Sequence, residues 1–205
     1  MRSRMVLRVL FCLLNGYLLG SLSPAALLAR VKDVNLRTEG TGNLGATNTT
    51  LVLGKQYGVL VMVFDVGKAY LACKVASFLL PEWEIAILLA GAAAVVGHAF
   101  PFYMKFRGGK GVAAFGGMIL AFDPWFFLIL LINAVILMLI VNYGVVGPMS
   151  ASALFPVMVG VRSRSILEAL VCAVTGLLIM LKHWNVFERM RDGSETKVRD
   201  FIRGK

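Results

Sequence analysis

Long apolar runs constrain this chain more than anything else in it. They cover residues 6–29, 57–80, 85–103, 112–122, 126–141, 153–161 and 166–181. A bilayer core about 30 Å thick takes about 20 helical residues to cross. The expected fold is therefore an all-α polytopic integral membrane protein of about seven transmembrane helices, two of them short (112–122 and 153–161). Composition agrees: only 16% of the residues are charged, against about a quarter in soluble domains.

The 205 residues read as a single membrane domain, with a bundle over 6–181 and a basic tail over 182–205. The net charge of +10 reads as basic loops facing anionic lipid, with nucleic-acid binding a remote second. The tail carries Lys182, Arg189, Arg191, Lys197, Arg199, Arg203 and Lys205, which places it in the cytoplasm. Seven crossings then put the N-terminus outside, although Arg2, Arg4, Arg8, Arg162 and Arg164 would face outward with it. The opening MRSRMVLRVLFCLLNGYLLG has the basic start of a signal peptide. Its apolar run continues past Gly20 without a small-x-small cleavage site, so it is read as the first span. Cys12, Cys73 and Cys172 each fall inside an apolar run without metal-type spacing, and are read as packing residues.

Within the spans, Gly16, Gly20, Ser21 and Ser23 recur on neighbouring turns and allow another helix to approach, and Pro24 predicts a kink. Asp65 and Lys68, three apart, can pair inside the bilayer. His98 is either a hydrogen-bonded structural residue or an acid/base.

Three polar breaks remain, all expected on the side of the tail. The first, 30–55, combines glycines with Thr41, Asn43, Thr47 and Asn48, suiting an oxygen-rich ligand; a plain solvated linker is the alternative. The second, GHAFPFYMKFRGGKGVA at 97–113, places Lys110 among Gly108, Gly109 and Gly111, with Lys105 and Arg107 upstream. Backbone amides and fixed cations of this kind suit a phosphate, although the spacing is not a Walker A loop. The third, 142–152, holds Gly144, Gly147, Pro148, Ser150 and Ser152. Converging on one face, these breaks suit a phosphorylated substrate in the inner leaflet. No haem, flavin, metal or nucleophile-elbow pattern appears, so no cofactor is expected. A transporter is the other reading, resting on Asp65, Lys68 and Asn133 inside the membrane. One-sided polar loops and the absence of an inverted repeat count against it.

GYLLGSLSPAALLA (16–29), LRTEGTGNLGATN (36–48), FDVGKA (64–69), the 97–113 stretch and KHWNVFERMRDGSETK (182–197) resemble, in order and spacing, the bacterial acyl-phosphate-dependent glycerol-3-phosphate acyltransferases, the PlsY family. The resemblance implies a seven-helix enzyme of the bacterial inner membrane with a cytoplasmic site. It would move a fatty acyl group from acyl phosphate to glycerol 3-phosphate, giving lysophosphatidic acid and phosphate, without acyl-CoA or metal. Lys110, Asn43, His98 and Thr41 would then be catalytic. Gly42, Thr47, Asn48, Gly108, Gly109, Gly111, His183 and Arg107 would bind substrate. The chain departs from the family pattern at Thr41 (usually serine), Leu51 (arginine), Ala114 (threonine), Gly144 and Val145 (serines) and Val186 (asparagine); the alternative these departures leave, ahead of the transporter, is a divergent paralogue, weakly active or non-catalytic, that binds another phosphorylated ligand.

Overall fold

A computed structural model of the chain describes residues 2–203; Lys205 of the basic tail lies outside the described residues. The described chain is almost wholly helical and divides into two compact units, one ending at Phe122 and the other starting at Asp123.

The first unit holds α1 (Arg2–Ser21), α2 (Pro24–Val31), α3 (Ala46–Leu53), α4 (Lys55–Leu79), α5 (Ile85–Ala99), a 3₁₀ turn (Phe102–Met104) and α6 (Val112–Phe122). Helix α5, IAILLAGAAAVVGHA, is its axis and packs against α1, α4 and α6. Apolar side chains gain little by leaving lipid for protein, so close backbone approach must hold such helices together. The sequence supplies it. Gly16 faces Ala90 and Ala93, Gly20 lies against the backbone of Ala94, and Gly97 meets the backbone of Tyr17. Asn15 Nδ2 adds a hydrogen bond to the Ala72 carbonyl of α4 at 2.8 Å. Cys12 and Cys73 are fully buried here, the packing role expected of them.

The kink foreseen at Pro24 is a full break. Leu22 and Ser23 lie between α1 and α2, and Ser23 caps α2 by accepting from the Ala26 amide at 3.2 Å. That amide would otherwise bond the Leu22 carbonyl. Instead, Leu22 accepts from Lys68 Nζ at 2.5 Å, and the Ser21 carbonyl accepts from the Tyr103 hydroxyl at 2.7 Å. Tyr17 answers by donating to Phe100 at the end of α5, at 2.9 Å.

The second unit holds α7 (Pro124–Val141), α8 (Val146–Ser163), α9 (Ile166–Lys182), α10 (Trp184–Arg191) and α11 (Val198–Arg203). Asp123 caps α7, accepting from the amides of Trp125 and Phe126 at 2.7 and 3.2 Å, and it pairs with Arg162 from the last turn of α8. An arginine expected to face outward thus has a carboxylate partner. On α8 and α9, the Ser152 backbone occupies the place a side chain at Gly176 would take. The tail returns to the end of α7, where Asn142 accepts from the Val198 and Arg199 amides.

Three helical stretches are long and apolar enough to cross a membrane by length and composition: 3–31, 85–104 and 124–141. Helix α4, 25 residues long, is also long enough at about 1.5 Å per residue, but it carries Asp65, Lys68 and Lys74. Helix α6 is as short as expected, at 11 residues. Two expectations are corrected. The stretch 153–161 is the later part of the 18-residue α8, which begins at Val146; Pro148 sits in its first turn, where no amide donor is needed. The polar segment 30–55 also contains a helix, α3.

The Gly20 contact is tested by Gly20→Val. Overpacking of this kind typically costs about 1–3 kcal/mol, so the thermal unfolding midpoint in detergent should fall. An unchanged midpoint would mean that α1 and α5 do not approach at this position.

Candidate functional site

Two loops of the first unit meet above the end of α5. The 32–45 loop is anchored by Leu36, 1% exposed, and organised by Asn48 on α3, which is fully buried. Asn48 Oδ1 accepts from the Thr41 amide at 2.6 Å, and its Nδ2 donates to the Leu36 carbonyl at 2.8 Å. One side chain thus ties Thr41 of the GTGN turn to Leu36, which precedes the turn. Gly42 has φ +70°, and its amide donates to Glu39. Thr41 and Thr47 are exposed and Asn43 is half-buried.

The 100–111 loop reverses direction tightly. Lys105 and Phe106 both take left-handed backbone angles, φ 55° and 57°, which non-glycine residues adopt only when their surroundings impose them. The Phe106 amide donates to Pro101, that of Gly108 to Ala99 and that of Gly109 to His98, each at 3.1 Å. These last two bonds satisfy carbonyls at the C-terminus of α5. In this structure the Gly108 and Gly109 amides are therefore both engaged in closing α5. At Gly111, φ is +90° and the carbonyl accepts from Phe115, so the loop ends by starting α6. Lys110 is half-buried between the two glycines.

The loops touch directly. Arg37 donates to the Arg107 carbonyl at 2.6 Å. A Cβ at Gly109 would overlap His98 Nε2 and lie 2.9 Å from the Leu44 carbonyl. Thr41, Gly42, Asn43, Thr47 and Asn48 therefore belong to one wall, Arg107–Gly111 to the facing one, and His98 lies beneath. The first two polar breaks converge as expected.

Below them is a buried polar cluster. Asp65, Lys68 and His98 are 2%, 5% and 8% exposed. Lys68 Nζ lies 2.6 Å from Asp65 Oδ1, the ion pair read from their spacing, and 3.0 Å from His98 Nδ1. That His98 and the Leu22 carbonyl join this pair was not legible in advance. A usable signal was the Ser-Pro break, which frees a carbonyl for a buried donor.

His183 belongs to the second unit, where α9 and α10 meet at a 47° bend. It is buried, and its Nδ1 donates to the Ile179 carbonyl at 2.8 Å. A neutral ring bonded this way carries its basic lone pair on Nε2. Of the positions that depart from the family pattern, Ala114, Val145 and Val186 are buried, while Leu51 on α3 is 49% exposed.

The family model described as glycerol-3-phosphate acyltransferase matches residues 10–193. A glycerol-3-phosphate acyltransferase of Coxiella burnetii is 37% identical over 187 residues, covering 90% of this chain and 95% of the relative. One from Exiguobacterium sibiricum is 35% identical over 204 residues, 98% of each chain. Among solved structures, PlsY (YgiH), an integral membrane glycerol 3-phosphate acyltransferase, superposes in its glycerol 3-phosphate form with TM-score 0.87 at 31% identity, covering 95% of this chain and 97% of that one. Its lysophosphatidic acid form gives 0.83 at 30% identity, covering 92% and 94%. Fold and likeness together define a multi-pass integral membrane acyltransferase. The chain belongs to the glycerol-3-phosphate acyltransferase family.

Replacing Asn48 with alanine would leave the Thr41 amide and the buried Leu36 carbonyl without their partner, at about 1–3 kcal/mol for the buried carbonyl. Asn48→Ala should therefore lower the unfolding midpoint and raise the KM for glycerol 3-phosphate together. A raised KM at unchanged stability would make Asn48 a ligand contact instead.

Proposed function

We propose that the enzyme takes its acyl group from acyl phosphate and transfers it to the 1-hydroxyl of glycerol 3-phosphate, releasing lysophosphatidic acid and inorganic phosphate. The observation that carries this reading is the junction of the two loops at Leu44 and Gly109, the sequence neighbours of Asn43 and Lys110. The substrate hydroxyl oxygen attacks the acyl carbonyl carbon, the bond from that carbon to the phosphate oxygen breaks, and the hydroxyl proton passes to a phosphate oxygen. An acyl phosphate is already activated, so the protein has chiefly to hold two phosphates close and stabilise charge on the leaving one.

In this scheme Lys110 neutralises phosphate charge, beside the first turn of α6, whose amides and dipole also favour an anion. Thr41, Gly42, Asn43 and Thr47 orient the acceptor, with Asn48 holding their loop in shape. Arg107, Gly108, Gly109 and Gly111 form the facing wall, with the glycines giving close access rather than charge. The family resemblance assigns His183 a substrate-binding role. The basic tail supports a cytoplasmic site in the bacterial inner membrane, where the product would enter phospholipid synthesis.

Purified protein given acyl phosphate and labelled glycerol 3-phosphate should form lysophosphatidic acid, and acyl-CoA should not replace the donor. Product from acyl-CoA alone would sink the donor assignment. Lys110→Ala should reduce kcat/KM at least about a hundredfold with the fold retained; activity near the parent level would remove Lys110 from the site. Leu51 is exposed one turn along α3 from Thr47. Leu51→Arg, by adding a charge-assisted bond worth roughly 1.5–3 kcal/mol, should raise kcat/KM about tenfold to a hundredfold. An unchanged value would mean that the phosphate is held without a cation from that position.

A further inference from the structure

The cluster beneath the loops assigns a role to two residues that the reaction scheme does not use. We infer that Lys68 and Asp65 are positioning residues that hold His98 as a neutral Nε2–H hydrogen-bond donor at the seam between the 36–48 and 105–111 loops, so that His98 is not the proton acceptor of the reaction.

The inference follows from counting protons. A lysine ammonium has three N–H donors and accepts nothing. Lys68 Nζ has three neighbours, the Leu22 carbonyl at 2.5 Å, Asp65 Oδ1 at 2.6 Å and His98 Nδ1 at 3.0 Å. Contact with Leu22 and with His98 has hydrogen-bond geometry, and that with Asp65 is a close ion pair. An ammonium facing Nδ1 requires a lone pair there. The imidazole proton must then sit on Nε2.

A competing arrangement would have Nδ1–H donate to Asp65, as in the hydrolase triads, leaving Nε2 as a base. Nδ1 is 3.3 Å from Asp65 Oδ1, farther than the 3.0 Å that separates it from Lys68 Nζ. That arrangement would also set an N–H against the ammonium.

Nε2 faces the loops. It occupies the space that a side chain at Gly109 would fill, and the Leu44 carbonyl borders the same space. Nε2 thus lies where the two walls meet. A base here would have to collect a proton from a substrate hydroxyl. The helix break completes the device, because without it the Leu22 carbonyl would be taken by the Ala26 amide. The tautomer is independent of the reaction assigned above; its consequence for catalysis rests on that reading.

The chain's two histidines make the test direct. Nitrogen-15 NMR of histidine-labelled, detergent-solubilised protein at neutral pH should show one imidazole protonated at Nε2 and one at Nδ1. The Nε2–H signal should vanish in His98→Gln. An Nδ1–H or doubly protonated His98 would overturn the proposal, whatever the enzyme's activity. Kinetics give a second arm, because a glutamine amide can accept from Lys68 and donate near the Nε2 position. His98→Gln should lower kcat less than His98→Asn, which cannot reach as far, and should retain the acidic limb of the parent pH–rate profile. A loss of a thousandfold or more in folded His98→Gln, in the range of an absent general base, with the acidic limb of the profile gone, would make His98 the proton acceptor.

Discussion

A carbonyl released inside a membrane must find a donor in the protein, and this requirement shapes the first unit. Ser23 and Pro24 stop α1 before its last carbonyls are used within the helix. Ser21 and Leu22 draw in Tyr103 and Lys68. An orphaned carbonyl in a low-dielectric interior costs several kcal/mol, so neither donor can leave cheaply. Lys68 in turn needs Asp65 to balance its charge, and the pair sets the ring of His98. A local interruption in one helix therefore fixes side chains on α4, on α5 and in the loop after α5.

The same economy appears in the loops. Gly108 and Gly109 do not offer their amides to solvent; they finish the hydrogen bonding of α5. The loop thereby becomes a continuation of that helix and brings Lys110 to the start of α6. Lys105 and Phe106, both in left-handed conformations, bend the chain hard enough for this return. Across from it, Asn48 does with a side chain what a β-turn does with backbone, tying Thr41 to Leu36. Both walls are thus built before any ligand arrives, which reduces the ordering that binding must bring about.

Features with a short repeat or strong hydropathy were legible in the sequence. The apolar runs, the small residues at 16 and 20, and the three-residue spacing of Asp65 and Lys68 all correspond to observed packing. What stayed hidden depended on contacts across the chain. Nothing near Asn48 announces bonds to residues 7 and 12 positions back. Helix α3, ATNTTLVL, is rich in threonine and short, so its own propensity is weak; the burial of Asn48 and Thr49 holds it. The start of α8 was concealed by Gly147 and Pro148, which read as a break and act as a first turn. The glycine-rich loop was recognisable as a site element, but the use of its amides depended on how α5 ends.

The tyrosine clamp between α1 and α5 bears on how the protein is made. Tyr17 and Phe100 are 83 residues apart, and Ser21 and Tyr103 are 82 apart. At synthesis rates of about 5–20 residues per second, α1 waits roughly 4–17 s for α5 to emerge. Throughout that interval its glycine face and the Ser21 carbonyl lack their final neighbours. Lys68 of α4 is synthesised before Tyr103, so the partner of the Leu22 carbonyl is in the chain earlier than that of Ser21.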